Sequence, residues 1–257
     1  MRLFIFSDLH GNKTLFNKMK EYMDNCGDEY FCYCLGDVCD RGPDGYELMR
    51  TILSLDNFEY LMGNHEDMFI NTCSNYFAFC REEYTNPYEY AKNMGFDPVS
   101  VFYDENSISY FQNGGQSTFE AWLRDGCPRD ILHKIADLPY AATVNVINGD
   151  KEITYELCHS GCRSNDYDCG KFIDEYIWNR THFITDDKWR NDPNSILVHG
   201  HTPIQIISKY VKVPLKRVAP IRYANNTKID LDVATYNTNI IYLFDVNNDT
   251  FIPFYDL

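Results

Sequence analysis

The stretch Gly36-Asp37-Val38-Cys39-Asp40-Arg41-Gly42 contains two carboxylates three residues apart and an arginine before a glycine. It follows an apolar run at residues 30–35, which has the length of a buried strand. In open α/β sheets, polar side chains just beyond the carboxyl end of a strand lie where such sheets bind ligands. The stretch therefore predicts a ligand site, although one Gly-Asp pair after a strand is a weak signal by itself.

Two neighbouring segments repeat this arrangement of an apolar strand followed by polar residues. The first strand precedes Asp8 and His10, which are two residues apart and point to the same side of an extended chain. The third precedes Asn64 and His65. A helix N-cap before the first helix and a plain turn at Asn64 are the ordinary alternatives. Helical patterns follow each strand, so the chain begins as a mostly parallel sheet with helices on its faces.

Apolar periodicity predicts the other elements. We expect strands at 3–6, 30–35, 58–62, 143–147, 153–158, 195–198, 204–210, 229–233, 239–245 and 250–254, and helices at 15–23, 43–55, 118–123 and 129–138. Residues 68–128 are rich in aromatic side chains and have no strand pattern, so we expect them to form a helical insert or cap. Phe119 and Trp122 are expected in the core. No linker or repeat interrupts the chain, which predicts one domain over residues 1–257.

Two further strands also end in histidines. His159 follows the strand at 153–158, and His199 and His201 follow the strand at 195–198. Together with Asp8/His10, Asp37/Asp40/Arg41 and Asn64/His65, they make five clusters. In each cluster, polar side chains follow directly on an apolar strand. Imidazole, carboxylate and amide groups are ligands of borderline divalent metals. Five such clusters in one chain are therefore better explained by a common metal site than by chance.

The set resembles the calcineurin-like metallophosphoesterases, and closely their phosphoprotein-phosphatase branch. The motifs of that branch occur here in order, as Ser7-Asp8-Leu9-His10-Gly11, the 36–42 stretch, Gly63-Asn64-His65-Glu66, His159-Ser160-Gly161 and Gly200-His201-Thr202. The resemblance spans residues 4–203. It implies an α/β fold with a central β-sandwich flanked by helices, a site at the strand ends and the helical insert near it.

The resemblance also implies the roles of individual residues. One divalent metal would be bound by Asp8, His10 and Asp37, and a second by Asp37, Asn64, His159 and His201. His65 would be the general acid, oriented by Asp40. Arg41 would clamp the phosphate, which Asn64 and His65 would also contact. Arg180, in Trp178-Asn179-Arg180, resembles the second clamp of bacterial and phage members, with Arg163 as a rival. His199 is expected to have a supporting role.

The implied reaction is attack on a phosphomonoester by a hydroxide that bridges the two metals. The mixed oxygen and nitrogen ligands suit Mn, Fe or Zn better than Ca, and Mn is the first expectation. A thiol-based phosphatase is a poor alternative, because the position six residues after Cys39 is Gly45 and not the Arg of a Cys-x5-Arg loop.

Composition restricts the function further. The net charge is −15, with 38 acidic and 23 basic side chains, which argues against binding to nucleic acid or an anionic membrane. There is no apolar run near the ~20 residues of a membrane helix and no leader pattern. The ten cysteines contain no Cys-x-x-Cys pair, so we expect reduced thiols and a cytoplasmic location.

The expected function is a serine/threonine protein phosphatase that acts on a phosphorylated protein or peptide. A symmetric bis(5'-nucleosyl)-tetraphosphate (Ap4A) hydrolase is the alternative, since aromatic residues of the insert offer surfaces for adenine. A non-catalytic binding relative of the same fold is a second alternative, which the complete ligand set opposes. The sequence leaves the native substrate, the metals and the oligomeric state open.

Overall fold

The computed structural model describes residues 1–27, 29–79, 93, 95, 105–148, 150–162, 173–184, 189–190 and 192–256. Its strands form two five-stranded sheets. The first sheet has the order β10-β9-β1-β2-β3, with β1 at Arg2–Phe6, β2 at Tyr30–Cys34, β3 at Phe58–Tyr60, β9 at Ile240–Asp245 and β10 at Thr250–Tyr255. The strands β1, β2 and β3 are parallel, as predicted, and β9 pairs antiparallel with β1.

The second sheet has the order β4-β5-β6-β8-β7. Its strands are β4 at Ala141–Asn148, β5 at Lys151–Cys158, β6 at Ser195–His199, β7 at Ile221–Tyr223 and β8 at Lys228–Asp230. The strands predicted at 143–147 and 153–158 are confirmed as β4 and β5, which pair antiparallel as a hairpin, while β5, β6 and β8 are parallel.

The two sheets pack face to face. Leu3 and Ile5 of β1 share one buried cluster with Leu157 of β5 and Val198 of β6. Side chains alternate along a strand, so Phe4 of β1 points the other way, into a second cluster that includes residues of the helices. This arrangement confirms the expected α/β fold with a central sandwich flanked by helices.

The helices among the described residues are α1 at Lys13–Asp24, α2 at Gly45–Ile52, α3 at Asn64–Phe79, α4 at Glu105–Gln112, α5 at Gln116–Arg124, α6 at Arg129–Ala136, α7 at Ile173–Trp178, α8 at Ile204–Tyr210 and α9 at Thr235–Thr238. The side chain of Asn12 accepts a hydrogen bond from the Leu15 amide (2.9 Å) and caps α1. No helix in the described ranges is long and apolar enough to cross a membrane.

The prediction of a strand at 204–210 was wrong, because this segment is the helix α8. Its run of isoleucines suits a strand as well as a helix, but Pro203 is the N-cap residue of α8, where a missing backbone N–H costs no hydrogen bond of the helix. Ile204 and Ile207 then fall on one face and are both buried. The predicted strand at 229–233 ends earlier, at Asp230, and the short β7 and α9 were not predicted.

The described part of the aromatic-rich insert is helical, as predicted. Phe69, Tyr76, Tyr110, Phe119 and Trp122 pack in an edge-to-face or tilted network and are all buried. This confirms core positions for Phe119 and Trp122. The predicted insert at 80–92, 94 and 96–104 lies outside the described residues.

Candidate metal centre

The five polar clusters converge at one end of the sandwich. The carboxyl ends of β1, β2 and β3 lead to the clusters of the first sheet, and those of β5 and β6 lead to the histidine clusters of the second. Two groups of buried ligand atoms result, in each of which all atoms lie within 4.8 Å of one another. They are His10, Asp37 and His65, and Asp37, His159 and His201. Asp37 belongs to both groups, so the arrangement fits a dinuclear metal site.

The second group also contains the amide oxygen of Asn64. Nε2 of His159 lies 3.0 Å from Asn64 Oδ1, 3.2 Å from His201 Nδ1 and 3.3 Å from Asp37 Oδ1. The other ring nitrogen of His159, Nδ1, donates to the carbonyl of Leu35 (2.8 Å). In a neutral ring, that hydrogen bond directs the Nε2 lone pair toward the other ligand atoms of the group. This is the usual orientation of a metal-binding histidine.

The first group is oriented in the same way. His10 donates from Nδ1 to the carbonyl of Cys39 (3.1 Å), and its Nε2 lies 3.8 Å from Asp37 Oδ2. His65 donates from Nδ1 to Asp40 Oδ2 (2.8 Å), and its Nε2 also lies 3.8 Å from Asp37 Oδ2. The guanidinium of Arg41 donates to the Nε2 atoms of His10 (2.6 Å) and His65 (3.1 Å). Arg41 is therefore positioned at the mouth of this group.

Asp8 belongs to neither group. Its carboxylate oxygens accept hydrogen bonds from the backbone amide of His201, at 3.2 and 3.1 Å. Burial raises the pKa of Asp8, with a further contribution from the charge of Asp37. Asp8 thus lies beside the centre and joins the loop after β6 to the loop after β1.

The charges of the centre favour a bound cation. Burial opposes charge on both partners, yet the pKa of Asp37 is lowered by His159 and His65, and the pKa of His159 is raised to about 10, mainly by Asp37. A proton on His159 thereby supplies the positive charge that the carboxylates attract. A divalent metal bound between the same atoms would supply that charge instead.

The backbone around the centre is strained. Six of the predicted site residues have positive φ angles, namely Asp8, His10, Asp37, Asp40, Arg41 and His201. Such conformations cost roughly 1–3 kcal/mol each and concentrate at functional sites. Gly36 has φ +99°, and a β-carbon on Gly42 would lie 2.5 Å from the carbonyl oxygen of His10, so both glycines are needed for the close turns.

Comparison with known families agrees with this geometry. Residues 1–235 match the family described as calcineurin-like phosphoesterase. The chain belongs to that family. Members of this family hydrolyse phosphoesters with divalent metals, and the paired ligand groups around Asp37 fit a dinuclear metal site. A search of curated proteins gave no significant match.

Solved structures show the same metallophosphoesterase fold. The chain aligns with the crystal structure of "a putative diadenosine tetraphosphatase" with a TM-score of 0.61 and 14% identity, covering 98% of this chain and 92% of that one. It also aligns with a protein serine/threonine phosphatase from Saccharomyces cerevisiae with similarity to human phosphatase PP5, with a TM-score of 0.52 and 16% identity over 100% and 80% of the two chains. At these identities the likeness concerns the fold alone.

Arg180 lies beside the metallophosphoesterase centre. Its Nη1 atom is 3.3 Å from the hydroxyl of Thr202, and the nearby charges include Asp232, Asp37 and Asp8. Burial lowers the pKa of Arg180 but leaves the guanidinium with its charge at neutral pH. The rival Arg163 lies outside the described residues.

His199 and Cys39 lie behind the centre. His199 is fully buried, donates to the Gly200 carbonyl (3.0 Å) and accepts from the Tyr223 hydroxyl (2.7 Å). Burial lowers the pKa of His199 to about 3, which keeps the ring neutral. Cys39 is fully buried in the core next to the helices. His199 thus lies in a packed environment as a neutral ring, and Cys39 faces the core.

Sequence reasoning missed the role of Glu66. This buried carboxylate accepts hydrogen bonds from the amides of Asp37 (2.8 Å), Val38 (2.9 Å), Cys39 (3.3 Å) and Gly63 (3.1 Å), and from the hydroxyl of Tyr60 (2.7 Å). It thus fixes the loop that carries Asp37. Its position directly after Asn64-His65, in the first turn of α3, was the available signal.

Tyr110 was missed as well. Its hydroxyl donates to Oδ1 of Asp40 (2.8 Å), and the side chain is fully buried. Nothing in the local sequence indicates this contact, because Tyr110 lies 70 residues after Asp40 in the chain.

Proposed function

We propose that this protein is a dinuclear metal-dependent phosphatase that hydrolyses phosphoserine or phosphothreonine in proteins. The observation that carries the proposal is the position of Asp37, which belongs to two groups of ligand atoms. His65 is a member of one group, and Arg41 contacts both histidines of that group. The site would therefore combine ligands for two cations with a guanidinium that binds a phosphate and an imidazole that transfers a proton.

The proposed ligands are Asp8, His10 and Asp37 for one metal and Asp37, Asn64, His159 and His201 for the other. Bound metals would activate a water for in-line attack at phosphorus and stabilise the charge that develops there. Manganese is proposed first, with iron or zinc as alternatives, because the donors mix oxygen and nitrogen.

The residues of the chain supply the other steps. Arg41 and Arg180 would bind the phosphate oxygens, since a guanidinium fork matches two of them at once and keeps its charge. Asn64 and His65 would contact the same phosphate. In its protonated form His65, whose Nε2 would then no longer accept from Arg41, would give a proton to the leaving alkoxide from Nε2, while Asp40 holds the ring at Nδ1 (2.8 Å).

A groove next to the first group favours a peptide over a dinucleoside tetraphosphate. It encloses about 290 Å³ and starts at His10 and Arg41. Asp44 and Asp256 line it, and the positive charge of Lys13 is paired with Glu47 (2.5 Å). Carboxylates repel the additional phosphates of a tetraphosphate but not a neutral or basic peptide.

We infer one catalytic domain over residues 1–257, because β9 and β10 near the carboxyl end complete the sheet that contains β1. We also infer a cytoplasmic enzyme, which the eight free thiols of the described cysteines support.

The deciding experiment compares two substrates with one preparation. The manganese-loaded protein is given a phosphoserine peptide and, separately, diadenosine tetraphosphate, and release of phosphate and of ADP is measured. We expect phosphate release from the peptide that stops with a chelator. ADP release without peptide hydrolysis would assign the protein to the tetraphosphate hydrolases, and no hydrolysis of either would favour a binding protein.

A further inference from the structure

The turn between α4 and α5 and the first residues of α5 lie against residues 40–42, the clamp loop, which carries Arg41. The backbone amide of Arg41 donates to the carbonyl of Gly114 (2.9 Å). The hydroxyl of Ser117 donates to the carbonyl of Gly42 (2.9 Å). Residues of the aromatic-rich insert thus hold the backbone of a proposed phosphate clamp and of the glycine after it.

Thr118 makes the third contact with the clamp loop. Its side chain is fully buried, and its hydroxyl accepts a hydrogen bond from the backbone amide of Asp40, which is fully buried as well (2.9 Å). A β-carbon on Gly45 would lie 2.8 Å from the same hydroxyl, so Thr118 packs closely against the start of α2. Burying a hydroxyl is costly unless it has a partner, and here the partner directly precedes Arg41.

The clamp loop needs support from outside, because its backbone is strained. Asp40 has a φ of +67° and Arg41 has a φ of +65°. Residues with side chains rarely adopt this left-handed conformation, which persists only where the surroundings enforce it. The hydrogen bonds from the insert hold both residues in this conformation and so determine where the Arg41 side chain begins.

Gly114 allows the insert to approach Arg41 this closely. Its φ is +94°, and a β-carbon there would lie 3.0 Å from Cγ and 3.3 Å from Cα of Arg41. At its other end, the Arg41 side chain contacts His10 and His65 of the first ligand group (2.6 and 3.1 Å). Arg41 therefore extends from the insert to the candidate metal centre.

Packing of the insert does not require these polar contacts. Phe119 and Trp122 follow Thr118 on α5, are fully buried and pack against each other in the aromatic network. Burial of such large apolar groups is enough to anchor the helix. The hydrogen bonds to residues 40–42 are therefore better explained by the placement of the clamp loop than by the docking of the insert.

We propose that Thr118 is a positioning residue of the reaction, which sets the place of the Arg41 guanidinium through the backbone of the clamp loop. Gly114 and Ser117 support the same loop. This inference rests on the proposed phosphatase function and gives the insert a part in binding the phosphate.

Thr118→Val tests this role, since it removes the hydroxyl and keeps a side chain of similar shape. In the manganese-loaded protein we expect the KM for p-nitrophenyl phosphate and the Ki for inorganic phosphate to rise about three- to tenfold, the effect of one buried hydrogen bond. The kcat should change by less than about twofold, because this phenolate leaves without a proton. Thr118→Ser, which keeps the hydroxyl, should restore both constants. A fall in kcat with an unchanged Ki would overturn the proposal.

A double-mutant cycle shows whether Thr118 acts through Arg41. Arg41→Ala removes the guanidinium, so the addition of Thr118→Val to this variant should raise the Ki for inorganic phosphate no further. A merely structural effect of Thr118 would instead raise the Ki by the same factor with and without the guanidinium. That result would contradict positioning of Arg41 by Thr118.

The matched control is Thr72→Val, which removes another fully buried hydroxyl, one without a hydrogen-bond partner in the described part of the chain. It should leave the KM and the Ki unchanged. Melting temperatures show whether each variant is folded. If Thr118→Val does not fold, the half-buried Ser117 replaces it in the test, and an unchanged Ki in Ser117→Ala decides against the proposal. A wild-type protein that neither hydrolyses p-nitrophenyl phosphate nor binds inorganic phosphate would reject the proposed function instead.

Discussion

Tyr110 and Asp40 are joined by a buried hydrogen bond of 2.8 Å from the tyrosine hydroxyl to Oδ1 of the carboxylate. The other oxygen of Asp40 accepts from Nδ1 of His65, also at 2.8 Å. Helix α4 of the predicted insert is thereby connected to the proposed general acid through one carboxylate. The insert thus has a part in positioning His65 as well as in packing.

Tyr110→Phe tests this positioning role. The substitution leaves Oδ1 of a buried carboxylate without its donor, which allows Asp40 and His65 to move. We expect kcat for an alkyl phosphate to fall by about three- to tenfold, and kcat for p-nitrophenyl phosphate to fall less, because its phenolate leaves without a proton. The matched control is Tyr46→Phe, which removes a hydroxyl that donates to Asp125. Equal losses on both substrates would show a general structural effect.

His65→Ala tests the general acid itself. We expect hydrolysis of alkyl phosphates to slow by about 10²- to 10⁴-fold, since an alkoxide needs a proton to leave. The loss for p-nitrophenyl phosphate should be clearly smaller. The rate of hydrolysis is measured over a series of leaving groups. It should depend more steeply on the leaving-group pKa in the mutant than in wild type. A parallel decrease across the series would reject proton donation by His65.

Asp37→Asn tests the shared ligand. A ligand that binds only the folded state stabilises it by about 2.7 kcal/mol at a hundredfold excess over its Kd. We therefore expect manganese to raise the melting temperature of wild type, a chelator to reverse the rise, and Asp37→Asn to show neither the rise nor activity. Asp56→Asn, which changes an exposed carboxylate in the turn before β3 and outside both ligand groups, should behave like wild type. Near-normal turnover in Asp37→Asn would refute the two-metal assignment.

Glu66→Gln tests what holds the metal loop. The amide has one acceptor oxygen where the carboxylate offers two, so buried backbone amides of the Asp37 loop lose their partner. We expect the free energy of unfolding to fall by about 2–4 kcal/mol, measured by chemical denaturation. Glu120→Gln, at a partly exposed position on α5, should leave the unfolding midpoint unchanged within experimental error. If Glu66→Gln were as stable as wild type, Glu66 would not be needed to hold the loop that carries Asp37.

Cys39 raises the question of oxidative inactivation, because it lies within the motif of the metal ligands. Burial, together with the neighbouring charge of Asp40, raises the pKa of its thiol, so the reactive thiolate does not form at neutral pH. We expect Cys39→Val to lose activity in peroxide at the same rate as wild type. Protection by this substitution, measured as a slower loss of phosphatase activity, would contradict the buried, inert thiol.

The sequence alone was enough to predict the family, the parallel strands of the first sheet and the residues that meet at Asp37. It could do so because each of these residues follows directly on an apolar strand, so residue type and strand position together predict where the side chain goes. Local patterns were less informative at 204–210, where a run of isoleucines suits a strand or a helix equally and the packing of Ile204 and Ile207 decides.

Other groups that support the site are visible only in the folded chain. Glu66 holds the Asp37 loop, Tyr110 reaches Asp40 from 70 residues away, and Trp178 stays exposed beside His201. The sequence offered one signal among these, the position of Glu66 directly after Asn64-His65, and the other two contacts depend on which segments lie side by side after folding. A hydrogen bond between buried groups, or a ring left open to water, is a property of the packed chain and not of any local stretch of it.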